Sequence, residues 1–189
     1  MAATEPIRNK RQVKELAGYW LKRGNVRNYT LIVLGVSTAL RIGDLLQLTW
    51  DDVYDKERNE PRSHITLIEK KTGKRRIIAL NKQAVTVLKL YHPHRKGRFI
   101  FSNNRKGERA ISRVQAWRII NSAVKATKMA GRIACHSLRK TFGYFAWKSG
   151  ALPVVLMDIF NHSSFEITRR YLGISQDDRD KVYLSMELF

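Results

Sequence analysis

His136 and Arg139 stand three apart in His136-Ser137-Leu138-Arg139, a spacing that lays an imidazole and a guanidinium on one face of a helix. Such a pair can address one phosphate together, the guanidinium through a planar and permanently charged fork. Downstream, Tyr171 follows His162 by nine residues in Asn161-His162-Ser163-Ser164-Phe165-Glu166-Ile167-Thr168-Arg169-Arg170-Tyr171. Ser163 and Glu166 have the spacing of a capping box, so a short helix is expected after Ser163, with Gly173 able to end it just past Tyr171. On one continuous helix that nine-residue gap would amount to about half a rotation. A break after His162 lets both residues face one centre. A tyrosine beside histidines and arginines, with no metal-ligand cluster nearby, points to a nucleophile that attacks a phosphodiester.

The rest of the chain must supply elements that hold these groups. Residues 1–11 are polar and basic and read as an arm, and residues 12–22 read as a first helix. The apolar run 29–36 lies in a stretch too long for an ordinary strand and is expected as a buried helix. A further helix is expected to begin after Ser37-Thr38-Ala39-Leu40 and run through Leu48, with Ile42, Leu45, Leu46 and Leu48 toward the core. Arg41 and Asp44 lie three apart on another face of it and, taken alone, read as an exposed ion pair. Trp50-Asp51-Asp52-Val53 opens a segment that turns at Asn59-Glu60-Pro61. Residues 64–68 and 75–80 then read as two strands joined around Thr72-Gly73-Lys74, the only sheet the pattern supports. Lys70, Lys71, Lys74, Arg75 and Arg76 gather positive charge at that turn, which suits either a solvated loop or one that probes a DNA groove.

Residues 81–91 read as a helix and 92–97 as a basic loop, where His92 and His94 have no carboxylate or cysteine nearby to complete a metal site. After the apolar run 99–101, Ser112 is expected to cap a long helix over 113–128 with Val114, Trp117, Ile119, Ile120 and Val124 as its core stripe. Helices follow over 136–149, with Leu138, Phe142, Phe145 and Ala146 inward, over 152–160, and through Tyr171. Ser175 with Asp178 can cap a last helix whose Val182, Met186 and Phe189 recur at helical spacing. The sum is a mainly α fold with a small antiparallel β-sheet (α+β), divided into an arm (1–11), a catalytic domain (12–175) and a C-terminal helix (176–189).

Charge adds a partner. Lys and Arg number 36 against 16 Asp and Glu, a formal +20, and an excess of that size favours a polyanion such as nucleic acid. Charge alone also fits a ribosomal or simply basic protein. The basic residues are spread along the chain instead of gathered on one amphipathic helix, which speaks against a membrane surface. With 43% hydrophobic and 28% charged residues in 189, the composition is that of one globular domain. No apolar run approaches spanning length and no signal-like stretch follows the basic N-terminus, so a soluble cytoplasmic protein is expected. The lone Cys135 excludes an internal disulfide and a cysteine-based zinc site.

Taken in order, these residues resemble the catalytic boxes of the tyrosine recombinases, the phage-integrase family. The family's second box runs His-x-x-Arg, Gly-His, then Tyr nine residues on, matched by His136, Arg139, His162 and Tyr171. Its first box, Leu-Arg-x-x-Glu/Asp-Leu, is matched by Leu40-Arg41-Ile42-Gly43-Asp44-Leu45, and a lysine on a β-hairpin between the boxes by Lys71. The chain departs from the pattern with Asn161 for the glycine, Lys140 where histidine is frequent, and Ala79 where proline is common. The resemblance covers roughly residues 5 to 175 and implies the tyrosine-recombinase catalytic-domain fold, with DNA cut and rejoined through a 3′-phosphotyrosine. It makes Tyr171 the nucleophile, Arg41 and Arg139 the grip on the non-bridging oxygens, and Lys71 the general acid. His136 assists proton transfer, His162 bonds the phosphate, and Asp44 orients Arg41. It implies no cofactor or metal. The partners would be double-stranded DNA, a homo-tetramer on that DNA with the tail exchanged between protomers, and an accessory DNA-bending protein.

Most relatives carry a separate core-binding domain before this one. Here only a short arm is expected, as in the small stand-alone recombinases that invert fimbrial promoters or reside in prophages, which implies a DNA-associated protein of a bacterium or phage. A DNA-binding regulator with a recombinase fold is the alternative, and a type IB topoisomerase shares the chemistry. The intact set Arg41, Lys71, His136, Arg139, His162 and Tyr171 favours the enzyme, because a pure binder has no need of a nucleophile. A metal nuclease would need a carboxylate cluster the sequence lacks.

Overall fold

Polar side chains set where the long helices begin. In the computed structural model, which describes residues 4–68, 73, 75–103, 109–172, 174 and 176–186, Asn9 accepts a hydrogen bond from the Arg11 amide and opens α1 (Lys10–Leu21). Asn25 opens α2 (Val26–Ser37) in the same way. Two single-turn helices follow, α3 (Ile42–Leu45) and α4 (Trp50–Val53), then β1 (Tyr54–Asp55) paired antiparallel with β2 (Glu60–Pro61). A hairpin of β3 (His64–Ile68) and β4 (Arg75–Ala79) leads to α5 (Lys82–Tyr91), capped by Asn81. Ser112 and Gln115 cap α6 (Arg113–Ala126) reciprocally. Then come α7 (Cys135–Lys148), α8 (Pro153–Phe160), α9 (Phe165–Leu172) and α10 (Gln176–Leu184).

α2 is the hub, packed on α1, α5 and α7. Its approach to α7 is close because residue 35 is glycine: a Cβ there would lie 2.5 Å from Leu138 Cδ1. On one side Leu31 and Leu34 meet Leu45, Leu46, Trp50, Val53, Ile65, Ile78 and Leu88. On the other, Ile32 meets Leu16, Ile120 and Leu138. A third, smaller cluster of Ala39, Leu156, Phe160 and Leu172 closes the end of the molecule that carries α8 and α9.

Several expectations are corrected. The first helix starts at Lys10, inside the expected arm, and the arm's Ile7 is buried with its amide donating to Thr141 Oγ1 at 2.9 Å. The helix expected through Leu48 stops at Leu45, because the Leu48 carbonyl instead accepts from the Ile100 amide at 3.0 Å and Thr49 bridges to Phe99. Beside the hairpin a second two-stranded sheet, β1–β2, is present. On α6 the core side is Ala116, Ile119, Ile120 and Ala123, where the alanines admit close packing, whereas Val114 and Trp117 are 57% and 48% exposed. On α7 Phe145 is only half-buried. The start of α9 is set by Ser164, whose hydroxyl accepts from the Ile167 amide at 3.4 Å, one residue later than the Ser163 box expected. Gly173, Ser175 and Phe189 lie outside the described residues.

Candidate active site

The two arginines meet at one backbone carbonyl. After α2 the chain turns at Ala39, whose φ of 54° lies in the left-handed region that costs a non-glycine residue about 1–2 kcal/mol. Arg41 follows in extended conformation, immediately before α3 instead of within a helix, and its Nη2 donates to the Phe160 carbonyl at 3.5 Å. Arg139 comes from α7 and is 1% exposed. Its Nη1 donates to the Ala39 carbonyl and its Nη2 to the Phe160 carbonyl at 2.7 Å, while the guanidinium carbon lies 4.9 Å from the Phe160 ring centroid. Phe160 ends α8, where carbonyls lack helical partners and the helix dipole is negative, so two cations suit it.

Asn161 then reverses the chain at φ 48° and ψ 54°. Its amide donates to Asp158 and that of His162 to Met157, the paired bonds that close a helix through a left-handed residue. Glycine suits this site best and asparagine is one of the few other residues that visit it routinely, which accounts for the departure from the family pattern. The reversal brings the His162 ring within 4.5 Å of the Tyr171 ring centroid, and His162 Nδ1 lies 3.0 Å from the hydroxyl of Thr168 on α9.

Tyr171, on the last turn of α9, places its hydroxyl 2.6 Å from His136 Nε2 at the start of α7. The electrostatics leave the imidazole unprotonated and able to accept a hydrogen bond from the phenol. His136 keeps one edge in solvent, yet crowding of its ring and then the cations of Lys140, Arg139 and Arg41 hold it down to about 4. His162 is also held to about 4, by burial first and then by Arg139, Arg41 and His136. Both imidazoles are therefore neutral near pH 7, and an unprotonated His136 Nε2 accepts from the phenol. Burial raises the Tyr171 pKa, and Arg139 and Arg41, with a hydrogen bond from Arg139, oppose that rise. The arrangement joins an oxygen nucleophile, a neutral base and two fixed cations, a set suited to attack on a phosphodiester.

Of the residues singled out in the sequence, Arg41, His136, Arg139, His162 and Tyr171 converge. Lys70, Lys71 and Lys74 lie outside the described residues. Arg75 and Arg76 begin β4 and line a recess of about 210 Å³ with Asp158, Ile159 and Asn161, so the hairpin stands against the end of α8. Asp44 is buried, lining with Thr66, Leu67 and Arg75 a cavity of about 510 Å³ at the hairpin's base. Sequence reasoning missed the Ala39 and Phe160 carbonyls, which carry no residue-type signal, and Thr168. Its spacing of three and four from Tyr171 and Leu172 could have placed Thr168 on the inner face of α9. Among the described residues no group of three His, Cys, Asp or Glu side chains could hold a metal ion, and no helix is long and apolar enough to cross a membrane.

Fold and site together define a tyrosine-recombinase catalytic domain. The chain belongs to the phage integrase family, whose model matches residues 9–177. It is 35% identical over 184 residues to the probable integrase/recombinase YoeC of Bacillus subtilis, covering 97% of each chain. It is 29% identical to the tyrosine recombinase XerD of Mycobacterium tuberculosis over 155 residues, which span 77% of this chain and 47% of that one. Among solved structures, XerA recombinase superposes with a TM-score of 0.78 at 21% identity, over 99% of this chain and 67% of that one. XerH bound to its palindromic difH substrate superposes equally well at 18% identity, over 98% of this chain and 54% of that one.

Proposed function

We propose that this protein cleaves and rejoins specific sites in double-stranded DNA through a 3′-phosphotyrosine on Tyr171. The observation that carries the reading is the 2.6 Å contact between the Tyr171 hydroxyl and His136 Nε2 beside two guanidiniums. The phenolic oxygen attacks phosphorus as its proton passes to His136, and the bond from phosphorus to the 5′-oxygen breaks. Arg41 and Arg139 take up charge on the non-bridging oxygens, His162 bonds the phosphate, and Asp44 orients Arg41. Lys71 protonates the leaving oxygen, and Lys70, Lys74, Arg75 and Arg76 grip the DNA beside it. Rejoining reverses these steps and needs no cofactor.

The formal +20 supports a DNA partner. Residues 12–175 form the catalytic unit in this reading, which assembles as a tetramer on DNA in the cytoplasm of a bacterium or phage-infected cell, aided by a DNA-bending protein. Incubation with a nicked suicide duplex is expected to yield a detergent-stable protein–DNA adduct, absent for Tyr171→Phe. An adduct that survives that substitution overturns the assignment.

A further inference from the structure

We propose that Lys140 is a positioning residue for the nucleophile, held by the N-terminal segment at the face of the Tyr171 ring. The inference rests on the recombinase reading above. Residues 4–7 run along the start of α7. The Glu5 amide donates to the Arg132 carbonyl at 3.1 Å, the Ile7 amide to Thr141 Oγ1 at 2.9 Å, and the Ile7 side chain is buried. Lys140, itself only 7% exposed, donates from Nζ to the Thr4 carbonyl at 2.5 Å. From that anchor Nζ lies 5.5 Å from the Tyr171 ring centroid. Lys140 also stands one helical turn after His136, on the same face of α7. An ammonium at the ring and an imidazole at the hydroxyl thus bracket the tyrosine from a single helix.

Burying an ammonium costs free energy that a purely structural position would avoid with an apolar side chain. Here the charge acts on both partners of the proton transfer. A cation near the ring face favours the negative charge left on the phenol as its proton departs. The same cation repels a proton on His136, which keeps the imidazole unprotonated at the start of the step while making it a weaker base. The charged and titratable groups facing His136 are Lys140 and Arg139 from α7, Arg41 ahead of α3, Tyr171 from α9 and His162 from the turn between α8 and α9, and Glu5 acts on Lys140. Lys140 is the largest of the charge effects on His136. The anchor on Thr4 links that charge to the chain leading into the domain, so displacement of residues 4–7 would move the ammonium off the ring.

The test compares wild type, Lys140→Met and Lys140→Arg in single-turnover adduct formation on the nicked duplex across a range of pH, with duplex affinity measured alongside. Lys140→Gln serves as the neutral variant if the methionine variant does not fold. The neutral variant is expected to react about tenfold more slowly, with its acid limb displaced toward neutral pH and its affinity within about twofold of wild type. Lys140→Arg, which keeps the charge, is expected to retain the wild-type limb. A neutral variant with wild-type rate and pH profile overturns the proposal. So does one that loses rate and affinity in the same proportion with the limb unmoved. Failure of the wild-type protein to form an adduct would overturn the recombinase reading and the inference with it.

Discussion

Arg139 is the most enclosed charge in the site, and its surroundings support the role proposed for it. Both terminal nitrogens are committed to backbone carbonyls, one from the turn after α2 and one from the end of α8, so the guanidinium cannot swing with bound DNA. A cation so fixed stabilises charge that develops at one point, the equatorial oxygens of a phosphorane, without reorganising during the step. Lysine keeps the charge but cannot serve two carbonyls and a phosphate from one nitrogen. Arg139→Lys is therefore expected to slow adduct formation by about a hundredfold, while duplex affinity stays within a few-fold. Rates from the suicide duplex set beside gel-shift affinities check this. A parallel fall in both would make the residue an anchor for DNA instead.

At the scale of elements, the site depends on how tightly α8 lies on α7. Phe160 is fully buried, its ring tilted 5.2 Å from that of Tyr171 and its carbonyl shared by the two arginines. The ring occupies the space a side chain would take at Gly143, where a Cβ would stand 2.7 and 2.9 Å from two of its atoms. Alanine in place of glycine ordinarily stabilises a helix interior by about 1 kcal/mol. Here overpacking against a buried aromatic ring costs about 1–3 kcal/mol and decides the sign. Gly143→Ala is expected to lower the thermal midpoint and, because Phe160 must shift, to lower the adduct rate as well. A variant more stable than wild type would show that the α7–α8 contact yields easily.

At the scale of the whole molecule, the C-terminal helix stands with its apolar side chains uncovered. α10 is a short helix, marginal without a surface to pack on. Val182, Tyr183, Leu184 and Met186 at its end are 62–79% exposed. Docking of these residues on their own domain is thus not what the structure has. We propose that in the tetramer they cover a neighbouring protomer and couple one active site to the next. Removal of residues 182–189 is expected to leave a folded monomer that still binds DNA but has lost cooperative binding and strand exchange. Light scattering and gel shifts of the shortened chain measure this. Unchanged cooperativity would remove the tail from the assembly.

What the sequence determined by itself was local chemistry. Helix-spaced His136 and Arg139, the nine-residue step from His162 to Tyr171 and the alternating hairpin strands are written in residue types at short range, where periodicity and capping act. They were enough to foresee a mainly helical domain, its hairpin and the meeting of His136, Arg139, His162 and Tyr171 at one centre. The geometry of that site came from contacts between residues far apart in the chain. Arg139 finds the Ala39 carbonyl across 100 positions and Lys140 the Thr4 carbonyl across 136. Backbone carbonyls carry no signature of residue type. Nor could the pattern around Leu48 reveal that pairing with residues 99–101 would outcompete another helical turn, since the partner strand is supplied only when the chain folds. The exposure of Val114 and Trp117 has the same origin: a helix with two apolar faces buries whichever one its neighbours approach, and the alanines decided which that was.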